Sequence, residues 1–163
     1  MQNTTTEFSV ISHTHWDREW HMSFERFRMR LVALIDNLLD ILEDDPEYIF
    51  HLDAQSICVE DYLAIRPDKA AIVRTHIEDG RILIGPWYVQ NDFYLTSGEA
   101  TVRNLLIGKR MAEAYGKCDT VGYAPDQFGN ISQLPQIIGG FGIDNFVFGR
   151  GYSFPENPGI DRE

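Results

Sequence analysis

His13-Thr14-His15-Trp16-Asp17-Arg18-Glu19-Trp20 crowds two imidazoles, two carboxylates and two indoles directly behind the apolar residues Phe8, Val10 and Ile11. Imidazole nitrogen with carboxylate oxygen is the donor set of a zinc-like divalent ion. If the chain stays extended past a short strand, His13, His15 and Asp17 alternate onto one face and converge on a common point. The competing reading is a loop whose histidines only bond backbone, and H-x-H-x-D by itself leaves both open.

Further along, Asp53, Gln55 and Ser56 follow the apolar run 48–52, and Asp126 stands in Pro125-Asp126-Gln127-Phe128-Gly129-Asn130 behind 120–124. A carboxylate at Asp126, brought close to a cation held by His15 and Asp17, would be kept ionised and could serve as ligand and nucleophile. Without a cation, converging carboxylates would raise one another's pKa at a cost in stability, so their convergence favours a metal. The loop Gly85-Pro86-Trp87-Tyr88-Val89-Gln90-Asn91-Asp92-Phe93-Tyr94 mixes four aromatics with two amides and an acid. That mixture suits stacking on a sugar ring while bonding its hydroxyls, or equally a structural loop held by aromatic packing. Glycoside cleavage with retention needs two carboxyl groups about 5 to 5.5 Å apart. Asp53, Asp92 and Glu19 are available as the second, and spacing does not elect one.

The elements that must position these residues are read from periodicity. Apolar residues Phe24, Phe27, Leu31, Leu34, Ile35, Leu38, Leu39 and Leu42 predict a long amphipathic helix ending by Pro46. Strands are predicted at 8–11, 48–52, 81–85, 120–124 and 145–149, the last followed by Arg150. Between them come helices over 58–65 and 69–78, one from Ser97 to Tyr115 with Val102, Leu105, Leu106 and Met111 as its buried stripe, and a short one from a Ser132 cap to Ile138. Five strands alternating with helices imply an α/β fold built on one parallel sheet, with every strand exit on one rim. His13 to Trp20, Asp53, Trp87 to Asp92, Asp126 and Arg150 then share that rim. A core alone would not require a polar residue after every strand.

The composition excludes some partners. The 163 residues are 44% hydrophobic, enough for one sizeable core, and 14 basic against 25 acidic residues leave a net charge of −11. Such a chain repels phosphate backbones and anionic membranes, so neither nucleic acid nor a membrane is an expected partner. The start has no leader-like pattern and no apolar stretch is of spanning length, which gives a cytoplasmic expectation. Cys58 and Cys118 lack metal or disulfide spacing and read as inert.

Taken together, His13 to Trp20, Gly85 to Asp92, and Ala124 to Gly129 with Gln133-Leu134-Pro135-Gln136 resemble glycoside hydrolase family 38, the retaining, zinc-dependent α-mannosidases. The motifs occur in the family's order and span nearly the whole chain. The resemblance implies that His15 and Asp17 ligate zinc, that Asp126 is both zinc ligand and nucleophile, and that Trp20 and Phe128 line the sugar subsite. His13 matches no family ligand. The substrate implied is a mannose-containing oligosaccharide, the ion gripping the 2- and 3-hydroxyls. Family members are several times longer, with a seven-stranded barrel-like α/β domain, and their fourth zinc ligand and acid/base aspartate lie further along. Residues 1–163 therefore read as an incomplete N-terminal part of the catalytic domain, whose open sheet edge points to self-association as a homo-oligomer. Two other readings stay open: a metal-dependent polysaccharide deacetylase or amidohydrolase, and an inert carbohydrate-binding fragment.

Overall fold

The computed structural model describes residues 5–152. Within them five strands, β1 (Ser12–His13), β2 (Phe50–His51), β3 (Ile82–Leu83), β4 (Gly122–Ala124) and β5 (Phe146–Phe148), alternate with helices. The helices are α1 (Phe24–Asp44), α2 (Ile57–Leu63), α3 (Ala70–Glu78), α4 (Gly98–Tyr115) and α5 (Leu134–Gly139), with a 3-10 turn at Pro67–Lys69 before α3. All pairings are parallel and the strands stand in chain order. Successive helices pack on one another, α1 on α2, α3 on α4 and α4 on α5. This is an α/β arrangement wound in sequence, with the strand exits on one side.

The single sheet expected from the pattern is instead two, β1-β2-β3 and β4-β5. The ladder stops after β3 because Gly85 takes a left-handed φ of +78° and Pro86 has no N–H to donate. Across the gap the Asp119 N–H donates to the Ile84 carbonyl at 2.8 Å. The hydrophobic core divides likewise. One cluster joins α1, α2 and α3 through Leu31, Ile35, Leu42, Tyr62 and Ile77; the other gathers Trp87, Phe93, Leu105, Leu134 and Ile138.

The strand expected at Phe8, Val10 and Ile11 is not formed. Pairing starts at Ser12, and Phe8 and Val10 are 83% and 92% exposed. β1 is an edge strand, and no described element covers the residues before it. Helix α1 buries the expected stripe from Phe27 to Leu42. In α4 the buried face is Thr101, Leu105, Gly108 and Ala112, whereas Leu106 is exposed. Small residues win there because the 85–92 loop lies directly on the helix: a Cβ added at Gly108 would stand 2.2 Å from the Tyr88 nitrogen. Ser97 caps α4, its hydroxyl accepting from the Ala100 N–H at 3.1 Å. Ser132 does not cap α5, which starts behind Gln133 with Pro135 in its first turn.

Candidate metal and sugar site

The loops after β1, β3, β4 and β5 enclose a cleft of about 800 Å³ lined by His15 to Trp20, Val89 to Asp92, Asp126 to Phe128 and Arg150. Four strand exits supply it, as a parallel sheet wound in sequence requires.

His15 is its centre. Its Nε2 lies 3.5 Å from Asp17 Oδ1 and 3.5 Å from Asp126 Oδ2, while its Nδ1 faces Asp53 Oδ2 at 3.1 Å. The hydrogen bond to Asp53 raises the His15 pKa above the ordinary imidazole value. Partial burial opposes the rise, and the charges of Asp53, Asp17 and Asp126 add to it. Three carboxylates around one imidazole make a place for positive charge. Among the described residues no group of three or more His, Cys, Asp or Glu side chains is spaced to hold an ion as it stands. The two separations from His15 are nonetheless close to the roughly 3.4 Å between donors on a tetrahedral ion with bonds of about 2.1 Å. His15, Asp17 and Asp126 bring together one imidazole nitrogen and two carboxylate oxygens, the donor types that zinc takes.

Asp126 is held from its other side. Arg150 Nη2 donates to Oδ1 at 2.5 Å and Arg150 Nε to the Asp126 carbonyl at 2.8 Å, which turns Oδ2 toward His15. Trp20 and Phe128 line the cleft and are 75% and 64% exposed. Glu19 and Asp92 line it as well.

His13 does not join the group: β1 ends there, its side chain is exposed, and it lies outside the cleft. Asp53 does not face the cleft either, being wholly buried behind His15. The sugar-stacking reading of the 85–94 loop is also corrected. Trp87 and Phe93 are core residues, the Trp87 indole donating to the Tyr123 carbonyl at 2.8 Å, and Tyr88 bonds Glu60. Tyr94 packs against Gly129. What the loop brings to the cleft is Val89, Gln90, Asn91 and Asp92.

Beneath the cleft runs a chain of amides that pattern reading did not assemble. Gln127 Nε2 donates to Gln90 Oε1 at 3.0 Å, and Gln90 Nε2 to the Asp53 carbonyl at 2.7 Å. The Gln90 N–H donates to Gln55 Oε1 at 2.9 Å, and Gln55 Nε2 donates to both Asp53 Oδ2 and the Trp16 carbonyl at 2.8 Å. The strand exits are thereby tied to one another. Asp53 and Ala54 both take left-handed φ values, +53° and +56°, without being glycine, a strain of order 1 kcal/mol or more each. The only signal in the sequence was polar residues crowded behind an apolar strand. Both cysteines are free and inert: burial pushes Cys58 well up and Cys118 up to about 11.

Fold and cleft together define a sequentially wound parallel α/β domain with an imidazole-carboxylate site large enough for a sugar. Residues 5–155 match the model of the glycosyl hydrolases family 38 N-terminal domain. The chain is 53% identical over 144 residues to the protein named "Putative mannosylglycerate hydrolase" of Halalkalibacterium halodurans, covering 87% of this chain and 16% of that one. It is 31% identical over 140 residues to human alpha-mannosidase 2C1, covering 85% and 13%. The crystal structure of an alpha-mannosidase from Enterococcus faecalis superimposes with a TM-score of 0.82 at 44% identity, over 85% of this chain and 16% of that one. The chain belongs to glycosyl hydrolase family 38. It spans 16% or less of the length of these relatives. Among the described residues no helix is long and apolar enough to cross a membrane.

Proposed function

We propose that the protein is a zinc-dependent retaining α-mannosidase in which His15, Asp17 and Asp126 hold the ion and Asp126 is the nucleophile. The observation that carries this reading is the convergence of Asp17 and Asp126 on one nitrogen of His15, at 3.5 Å each, in a cleft flanked by Trp20 and Phe128. An ion held by His15, Asp17 and Asp126 would supply Lewis-acid polarisation of the sugar's hydroxyls. The chain's own residues do the rest. Trp20 and Phe128 take the ring's apolar face and exclude water from it. Arg150 holds one oxygen and the backbone carbonyl of Asp126, so the other oxygen is aimed into the cleft. The Asp126 carboxylate attacks the anomeric carbon as the bond to the leaving oxygen breaks, and the leaving oxygen takes a proton from an acid. Water then cleaves the glycosyl ester with retention.

The relatives named for α-mannosidase and for mannosylglycerate hydrolysis share the mannosyl group, so the substrate class is an α-mannoside. The 53% identity to the latter supports a small anionic aglycone as the runner-up to a mannose-containing glycan. The test uses the whole protein. Chelation should abolish cleavage of an aryl α-mannoside, zinc should restore it, and a fluorinated mannosyl fluoride should leave its mass on the peptide containing Asp126. Full activity after chelation, or a label on another residue, would overturn the assignment. Mannosylglycerate set against an α-mannosyl oligosaccharide decides the aglycone.

A further inference from the structure

Resting on the metal reading above, we infer that Asp53 is a positioning residue for His15: it fixes which ring nitrogen faces Asp17 and Asp126. Asp53 is 0% exposed, and one oxygen, Oδ2, collects all its side-chain contacts. The Trp16 N–H donates to it at 2.7 Å, Gln55 Nε2 at 2.8 Å, and His15 Nδ1 approaches at 3.1 Å. Gln55 also donates to the Trp16 carbonyl, so the residue following His15 is gripped at both its N–H and its C=O. Backbone and ring are therefore located by the same pair of side chains. A carboxylate oxygen only accepts, so Nδ1 must carry the proton. Nε2, 3.5 Å from Asp17 Oδ1 and from Asp126 Oδ2, is then the nitrogen available to an ion. Among the described residues the other oxygen, Oδ1, is buried with no hydrogen-bond partner. All the contacts of the Asp53 carboxylate thus fall on the oxygen that faces His15.

A carboxylate behind a metal-binding imidazole locks its tautomer and raises its donor strength, and losing such a partner typically lowers metal affinity about 10- to 100-fold. In the whole protein, Asp53→Asn should weaken zinc binding by that factor, measured by competition with a chromophoric chelator. In a His15→Ala background the same substitution should change affinity less than about twofold, because the ring through which Asp53 acts is gone. Equal losses in both backgrounds would make Asp53 merely structural and overturn the inference while leaving the metal reading intact. A wild-type protein that binds no zinc would overturn both. A second measurement does not depend on a variant: nitrogen chemical shifts of His15, read in the metal-free protein above the imidazole titration, should report the Nδ1-protonated tautomer. The Nε2-protonated form would refute the assignment.

Discussion

Gly108 sits where helix propensity and packing make opposite demands, which makes Gly108→Ala a sharp test of how the cleft is held. In the interior of α4, alanine should stabilise by about 1 kcal/mol over glycine. The added Cβ, however, would stand 2.2 Å from the Tyr88 nitrogen, 2.3 Å from the Pro86 oxygen and 2.3 Å from the Trp87 carbonyl carbon. All three are backbone atoms and none can rotate away, so the loop must retreat by about 1 Å to reach ordinary contact. That retreat stretches the clamp made by Asn104 one turn earlier. Its Oδ1 accepts from the Tyr88 N–H at 2.8 Å and the Val89 N–H at 3.2 Å, and its Nδ2 donates to the Val89 carbonyl at 2.6 Å. Overpacking costs about 1–3 kcal/mol and each weakened bond up to about 1 kcal/mol, against about 1 kcal/mol regained from propensity. The expected net loss is about 2–4 kcal/mol in urea unfolding at an unchanged m-value. Hydrogen exchange should quicken at the Tyr88 and Val89 amides. Gly98→Ala is the control: no atom lies within 4 Å of its added Cβ, and its effect should stay within about 0.5 kcal/mol. Gly108→Ala as stable as wild type, or more stable, would show that the helix and loop do not rest on one another as described.

Arg18 donates to buried Asp61 through Nε at 2.7 Å and Nη2 at 3.0 Å, anchoring the loop that carries Asp17 onto α2. Arg18→Ala should destabilise by roughly 2–3 kcal/mol in chemical denaturation, since it strands a buried carboxylate, and adding Asp61→Asn should recover part of the loss. Arg150→Ala leaves both partners half exposed, so stability should change by less than about 1 kcal/mol while kcat falls at least 10-fold in steady-state assays; a stability loss without a kcat effect would contradict its grip on Asp126. His76 is buried with both ring nitrogens unpartnered among the described residues, and burial, aided by Arg81, lowers its pKa. Its folded pKa lies below its unfolded value of about 6.5, so its proton-linked contribution is absent well above 6.5 and withdraws stability as pH falls through and below it. His76→Leu should flatten the fall in Tm between pH 7 and pH 5, and an unchanged slope would count against the burial argument.

The helices and the strand exits were legible because both are written in short periods. Leu31, Ile35, Leu38 and Leu42 recur at helical spacing and are buried as that spacing demands. The polar residues behind each apolar run converge because parallel strands all exit on one side. What period could not show was where a ladder stops. Residues 8–11 have the apolar content of a strand, yet a strand needs a partner on at least one side, and pairing begins only at Ser12. The division into two sheets turns on Gly85 and Pro86, two residues whose effect on the neighbouring ladder is a matter of geometry. The aromatics of the 85–94 loop were ambiguous for another reason. An indole stacked on a sugar and one buried in a core have the same composition, and only contact separates them. Asp53 stood out as an acid behind a strand, but its service to His15 depends on Trp16 and Gln55 folding back across it.

The amides under the cleft also have only one way to point. A side-chain amide reads differently at its two ends, and turning it over exchanges donor for acceptor. Gln55 must present its NH₂ to two oxygens, Asp53 Oδ2 and the Trp16 carbonyl, so its own oxygen is left for the Gln90 N–H. Gln90 must present its NH₂ to the Asp53 carbonyl, so Gln127 in turn has to offer its NH₂. Each orientation dictates the next, and reversing any one would set like against like along the row. None of these groups gains or loses a proton at ordinary pH. The floor of the cleft therefore keeps a constant polarity whatever charge the His15 imidazole above it carries.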